Sequence, residues 1–163
     1  MVGVYRALVF CPGVVVIFHG PIGCAHVAST MDLGASFRVM ADGGKESRET
    51  IPLVSSHLRE KDGIFGGIDR LSDCISYVMD TYHPKCVWIV SSCVAGVIGD
   101  DIEQEAKAAE ASYGIPVIPM PFAGFLGGEY SDGYYQTTEM MIRRFFRKQK
   151  HIKGRVLLLG DQM

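Results

Sequence analysis

The stretch VVVIFHGPIGCAHVASTM, residues 14–31, carries the signature of the fold. Five consecutive apolar residues, Val14 to Phe18, have the length and branching of a buried strand. HGPIGC, His19 to Cys24, breaks that pattern with two glycines and a proline, and Ala25 to Met31 can continue as a helix. This is a strand–loop–helix junction. In a parallel α/β sheet such junctions gather at the carboxyl ends of the strands, where ligands bind in a crevice. Cys24 belongs there, in the first turn of its helix. Free backbone N–H groups and the helix dipole at that position favour an anion, hence a thiolate, and a thiolate is a good soft-metal ligand. A plain glycine turn around a buried structural cysteine would carry the same residues, so the hexapeptide alone leaves both readings open.

The arrangement recurs. Cys86 to Ser91 (CVWIVS) reads as a buried strand that ends at Ser92 and Cys93, and Gly96 to Gly99 lead into a charged helix over Asp100 to Tyr113. Cys93 therefore also belongs at the carboxyl end of a strand. Two cysteines placed alike on one sheet edge can converge on one ligand.

The bulk properties set bounds. A chain of 163 residues, 48% of them hydrophobic, suffices for one domain with a real core. A net charge of −2 and a pI near 6.2 offer no global electrostatic attraction for nucleic acid or an anionic membrane, which leaves small molecules and proteins as the expected partners. The N-terminus lacks the pattern of a signal peptide, and Arg6 and Pro12 interrupt the apolar run from Val2 to Phe18 before it reaches membrane-spanning length. A cytoplasmic location is expected. Five cysteines in a reducing compartment point to thiols or metal ligands rather than disulfides.

Taken in order, Met1 to Phe10 reads as a short helix packed by Val4, Leu8 and Val9, ended by Cys11-Pro12-Gly13. After the first junction, Phe37 to Met40 is a candidate strand, Asp42 to Glu49 a loop and Ile51 to Val54 another short strand. Ile64-Phe65 reads as a brief strand turning into a helix through Gly66-Gly67. That helix, Ile68 to Tyr82, places Ile68, Leu71, Ile75, Val78, Met79 and Tyr82 on one face, with Cys74 beside them as core packing. Cys86, at the start of its strand, is also expected to pack. Asp100 and Asp101, with Glu103 and Glu105, complement a helix dipole and cap it more readily than they bind metal.

Ile115 to Met120 is a further strand whose prolines place it near an edge. AGFLGGEYSDGYY, Ala123 to Tyr135, reads as a long glycine-rich loop on the crevice side. A last helix runs to about Lys148 and ends in Arg143, Arg144, Arg147 and Lys148, a solvated basic end matched to its dipole or a docking patch for an acidic partner. Val156 to Leu159 reads as one more strand, the start of a following unit, so the division expected is one domain over 1–154 and the opening of another over 155–163. No nucleotide-binding G-x-x-x-x-G-K-[ST] or G-x-G-x-x-G is present, and no C-x-x-C, H-E-x-x-H or G-x-S-x-G.

With these stretches in place, the chain resembles component 1 of nitrogenase and its relatives. The resemblance rests on HGPIGC (His19 to Cys24), EKDGIFGGIDRL (Glu60 to Leu71), SSCVAGVIGDDIE (Ser91 to Glu103) and PFAGFLGGEYSDGY (Pro121 to Tyr134), which occur in the family's order. It implies a Rossmann-like three-layer α/β domain with a mostly parallel sheet, the first of several. It further implies that Cys24 and Cys93 bind an iron-sulfur cluster at an interface between two subunits, a cluster that accepts electrons from a separate ATP-hydrolysing iron protein. Members of the family include nitrogenases, scaffolds that build the nitrogenase cofactor, and tetrapyrrole reductases.

The sequence departs from the family in two ways. Nitrogenase subunits carry another cluster cysteine upstream of the first helix, and this chain begins without it; only Cys11 is near in sequence. Two cysteines from each of two subunits, in a homo- or hetero-dimer, would supply the four thiolates of a 4Fe-4S cluster. The later domains that complete a substrate pocket in the family are also absent after Met163. On this reading Gly20, Pro21 and Gly23 shape the loop and bring backbone N–H groups to the cluster sulfurs, and His19 and Ser92 are candidate donors beside the cysteines. The expected role is an oxidoreductase domain relaying electrons; the rivals are a cofactor-assembly scaffold and a cluster-free interaction module.

Overall fold

The computed structural model describes residues 1–30, 50–121, 129–147 and 154. Four strands, β1 (Val14–His19), β2 (Leu53–Ser55), β3 (Cys86–Ser91) and β4 (Val117–Met120), form one sheet in the order β2-β1-β3-β4. Every pairing among them is parallel, with β1 and β3 in register from Val14 opposite Cys86 to His19 opposite Ser91. The order reverses between β1 and β3: the chain leaves β1 to build β2 on one side, then returns to build β3 on the other. At such a switch point the two following loops diverge to opposite faces and leave a crevice at the carboxyl edge.

Helices cover both faces. α1 (Val2–Leu8), α2 (residues 22–30) and α7 (Tyr130–Phe145) lie on one side, and α4 (Ile68–Tyr82) and α6 (Ile102–Tyr113) on the other. The period-two alternation of the strands sends Val16, Phe18, Trp88 and Val90 into the first layer, with Val4 and Leu8. Val15, Ile17, Val87 and Ile89 enter the second, with Leu71, Ile75 and Val78. Each such buried side chain contributes about 1.5–3 kcal/mol, and this two-faced burial is why β1 and β3 read as unbroken apolar runs. The result is the three-layer α/β domain that the sequence predicts, with the proline-bearing β4 outermost among the described strands, as expected.

Several local expectations are corrected. Ile64-Phe65 is not a strand: α3 (Asp62–Phe65) is a single helical turn, closed by Ile64 and Phe65 N–H bonds to the Lys61 carbonyl and set by Asp62, which accepts the Arg59 N–H at 2.8 Å. Gly96 to Gly99 do not simply lead into the next helix, because α5 (Cys93–Ile98) forms first, capped by Ser92. Asp101 then caps α6 as expected, through the Gln104 N–H at 2.9 Å, whereas Asp100 serves elsewhere. Tyr82 stands exposed at the end of α4 rather than on its buried face. The loop expected to reach Tyr135 gives way to α7 at Tyr130, where Glu129 and Asp132 form a reciprocal cap, and α7 stops at Phe145. The strands expected over Phe37 to Met40 and Val156 to Leu159, the loop over Asp42 to Glu49 and the unit over 155–163 lie outside the described residues.

Candidate metal centre at the carboxyl edge of the sheet

β1 and β3 end side by side, and their last paired residues, His19 and Ser91, are each followed by a loop that starts a cysteine-bearing helix. Cys24 falls in the first turn of α2, its N–H bonded to the Pro21 carbonyl at 3.1 Å. Cys93 is the first residue of α5. Both residues are partly exposed, and Cys24 packs partly against the core beneath α2.

The two loops are held together at their roots. The Ser92 N–H donates to the His19 carbonyl at 2.9 Å, which continues the β1–β3 ladder by one bond. A side chain on Gly20 would place its Cβ 2.6 Å from the Ser92 Cβ, so only glycine admits this approach. The Ser92 hydroxyl accepts the Ala95 N–H at 3.1 Å. Gly20 is held from its other side as well: its N–H donates to Ser56 Oγ at 3.2 Å, and its carbonyl accepts from Leu58 N at 3.1 Å and Ser55 Oγ at 3.0 Å.

His19 is fully buried, and both ring nitrogens are engaged within the chain. Nε2 lies 2.9 Å from Asp100 Oδ2 and Nδ1 2.9 Å from Ser56 Oγ. The network selects the tautomer. The Asp100 carboxylate only accepts, so Nε2 carries the proton; Nδ1 then accepts from the Ser56 hydroxyl, whose oxygen is free to take the Gly20 N–H. Burial lowers the His19 pKa, opposed by the hydrogen bond and charge of Asp100, and this keeps the ring neutral. Asp100 is anchored in turn by the Gly67 N–H, 3.0 and 3.1 Å from its two oxygens. The ring expected to donate toward a bound group thus holds the loop from behind.

The other cysteines stand apart. Cys74 and Cys86 are buried and burial pushes each thiol up to about 12, as packing residues should behave. Cys11 precedes β1, so the whole six-residue strand, about 20 Å at ~3.3 Å per residue, separates it from the Cys24 edge. Burial also raises its thiol. Among the described residues no three His, Cys, Asp or Glu side chains cluster to hold a metal ion.

Cys24 and Cys93 thus offer two partly exposed soft donors on one edge. Among the described residues a Cβ on Gly23 would meet nothing within 4 Å, so no packing among them calls for glycine there. The donor set fits a thiophilic iron-sulfur group. The family described as nitrogenase component 1 type oxidoreductase matches residues 1–163.

The chain belongs to the nitrogenase component 1 family.

Among its relatives, the nitrogenase iron-molybdenum cofactor biosynthesis protein NifE of Clostridium pasteurianum is 40% identical over 96% of the chain, which covers 34% of that protein. The nitrogenase molybdenum-iron protein alpha chain of Methanosarcina barkeri is 36% identical over 80% of the chain, which covers 24% of it. The solved structure described as nitrogenase Cp1 at pH 6.5 superposes with a TM-score of 0.62 at 26% identity, over 88% of this chain and 28% of that one. The chain spans about a third or less of these component 1 family proteins. Ser56 is a site residue that sequence reasoning leaves without a role, Gly67 reads there only as a turn, and Asp100, expected as a helix cap, bonds His19 and the Gly67 N–H instead; the quoted motifs contain Gly67 and Asp100, and nothing in their spacing shows that they meet His19.

Proposed function

We propose that this domain holds its share of an iron-sulfur cluster through Cys24 and Cys93 at an interface with a like subunit. The observation that carries the reading is the placement of the two thiols at the carboxyl ends of the adjacent parallel strands β1 and β3, beside the switch point of the sheet. Two thiolates per chain, doubled by a second subunit, make up the four that a 4Fe-4S cluster takes, and a two-fold axis through the cluster satisfies both subunits alike. Ile22 on α2 and Val97 on α5 are 61% and 78% exposed, an apolar surround suited to burial against another chain. When bound, the cluster supplies one-electron redox chemistry. Gly20 and Pro21 form the loop, Gly23 lies in the first turn of α2, and His19 and Ser92 hold the loop's root.

As part of a longer protein, the domain serves a scaffold on which the nitrogenase cofactor is assembled. The similarity to proteins named for cofactor biosynthesis, at 40% over 96% of the chain and 33% over 89%, favours this use. A second reading, an oxidoreductase domain that accepts electrons from an ATP-hydrolysing iron protein for substrate reduction, is favoured by the similarity to the molybdenum-iron alpha chain.

Anaerobic purification with iron and sulfide analysis and solution mass, on the wild type and on Cys24→Ala and Cys93→Ala, tests the cluster. About four irons per dimer, lost in both variants, is the expected result. A wild type that stays iron-free after anaerobic reconstitution rejects it and leaves an interaction module. Transfer of bound metal to an acceptor protein, without turnover by iron protein and ATP, marks the scaffold; ATP-dependent reduction of the cluster by the iron protein marks the oxidoreductase.

A further inference from the structure

We infer that His19 and Asp100 are positioning residues that set the spacing between Cys24 and Cys93. The inference rests on the cluster reading for its purpose but not for its test. Each cysteine belongs to a short segment, His19 to Cys24 in one case and Ser92 to Asp100 in the other. The first residue of one segment is bonded to the last residue of the other, His19 Nε2 to Asp100 Oδ2 at 2.9 Å. The opposite end of the second segment is tied to the same histidine, through the Ser92 N–H and the His19 carbonyl.

The α5 segment is therefore clasped at both ends by one residue. Its far end is made rigid because the Gly99 and Asp100 N–H groups both close on the Ala95 carbonyl at 3.2 Å, which fixes Asp100 relative to Cys93. On the other side the clasp reaches the Cys24 loop through Ser56, which bonds both His19 Nδ1 and the Gly20 N–H. The Asp100 side chain is 4% exposed and the His19 side chain fully buried, so water competes for neither bond. Two thiols on separate helices need such a device, since a bound group demands a fixed separation and neither helix supplies it alone.

The test needs no cluster. In a Cys11→Ser background of the full chain, metal-free protein is treated with bifunctional thiol reagents of graded length, and intrachain Cys24–Cys93 cross-links are measured by mass spectrometry. The wild type is expected to prefer one linker length. Asp100→Ala is expected to lose that preference, while His19→Gln, whose amide keeps one donor and one acceptor, retains it. Should Asp100→Ala fail to fold, Ser56→Ala, which cuts the clasp from the Cys24 loop, is the deciding variant. A second readout is the iron retained after anaerobic reconstitution with ferrous iron and sulfide, expected to fall about 10- to 100-fold in affinity for the variants that lose the length preference. Folded Asp100→Ala or Ser56→Ala protein with the wild-type linker profile overturns the inference. A shifted profile in a protein that binds no iron sustains the positioning role and rejects the cluster.

Discussion

Gly20 and Ser92 approach so closely that a methyl group on Gly20 would stand 2.6 Å from the Ser92 Cβ and 2.7 Å from its Oγ. The contact joins the two cysteine loops, and no rotamer change relieves it, because a Cβ cannot rotate away. Gly20→Ala is expected to lower stability by about 1–3 kcal/mol, the usual cost of overpacking. Gly23→Ala is the control: its Cβ meets nothing within 4 Å among the described residues and the position is helical, so the substitution should be neutral or stabilise by up to ~1 kcal/mol. Urea unfolding of the two variants side by side measures the difference, and equal midpoints would refute the steric account.

The buried His19 makes stability depend on pH in a defined direction. Its folded pKa is lowered by burial, so below the ordinary value near 6.5 the unfolded chain takes up the proton first. The stabilisation is fully present above about 6.5 and is lost as pH falls through the folded pKa. The melting temperature should drop between about pH 7.5 and pH 5.5, with a shallower slope in His19→Gln. Identical slopes would place the titration elsewhere.

Thiol labelling should separate the cysteines by environment. Cys24 and Cys93 are partly exposed and are expected to react with iodoacetamide in the native metal-free protein. Cys74 and Cys86, buried with thiols near 12, should resist until the chain unfolds, and Cys11, raised by burial, should lag behind the first pair. Peptide mapping over a time course reads the order; rapid labelling of Cys74 or Cys86 in the native state would contradict the packing assigned to them.

Gly3 carries the contact between α1 and α7. A Cβ there would lie 2.0 Å from the Tyr130 carbonyl oxygen and 2.8 Å from the Tyr134 nitrogen, both backbone atoms that cannot swing aside. Gly3→Ala should cost about 1–3 kcal/mol and raise hydrogen exchange in α7 selectively. Unchanged exchange there would mean that the helices tolerate separation.

Much of the fold was legible because its strands are buried on both faces. Runs such as Val14 to Phe18 and Cys86 to Ser91 have no polar alternation to confuse them, and α4 shows its apolar stripe at helical spacing. The errors fall where a short segment lacks that signal. Ile64-Phe65 looks like a strand from its apolar residues, yet the side chain of Asp62 turns the segment into a helix whose Phe65 is 85% exposed. The α5 turn was hidden by its glycines, because the Ser92 cap that starts it is a local bond that periodicity does not report.

The sequence by itself determined the class of fold, the two strand–loop–helix junctions that bear Cys24 and Cys93, and the family to which those motifs belong, because strand burial and loop chemistry are written in neighbouring residues. Only the tertiary structure decided what His19 does. Its partners Ser56 and Asp100 lie 37 and 81 residues away, and the sheet order that carries all three to one edge is a property of how β1, β2 and β3 pair. A buried imidazole must find its hydrogen bonds wherever the fold brings polar groups within reach, and no local pattern records where that will be.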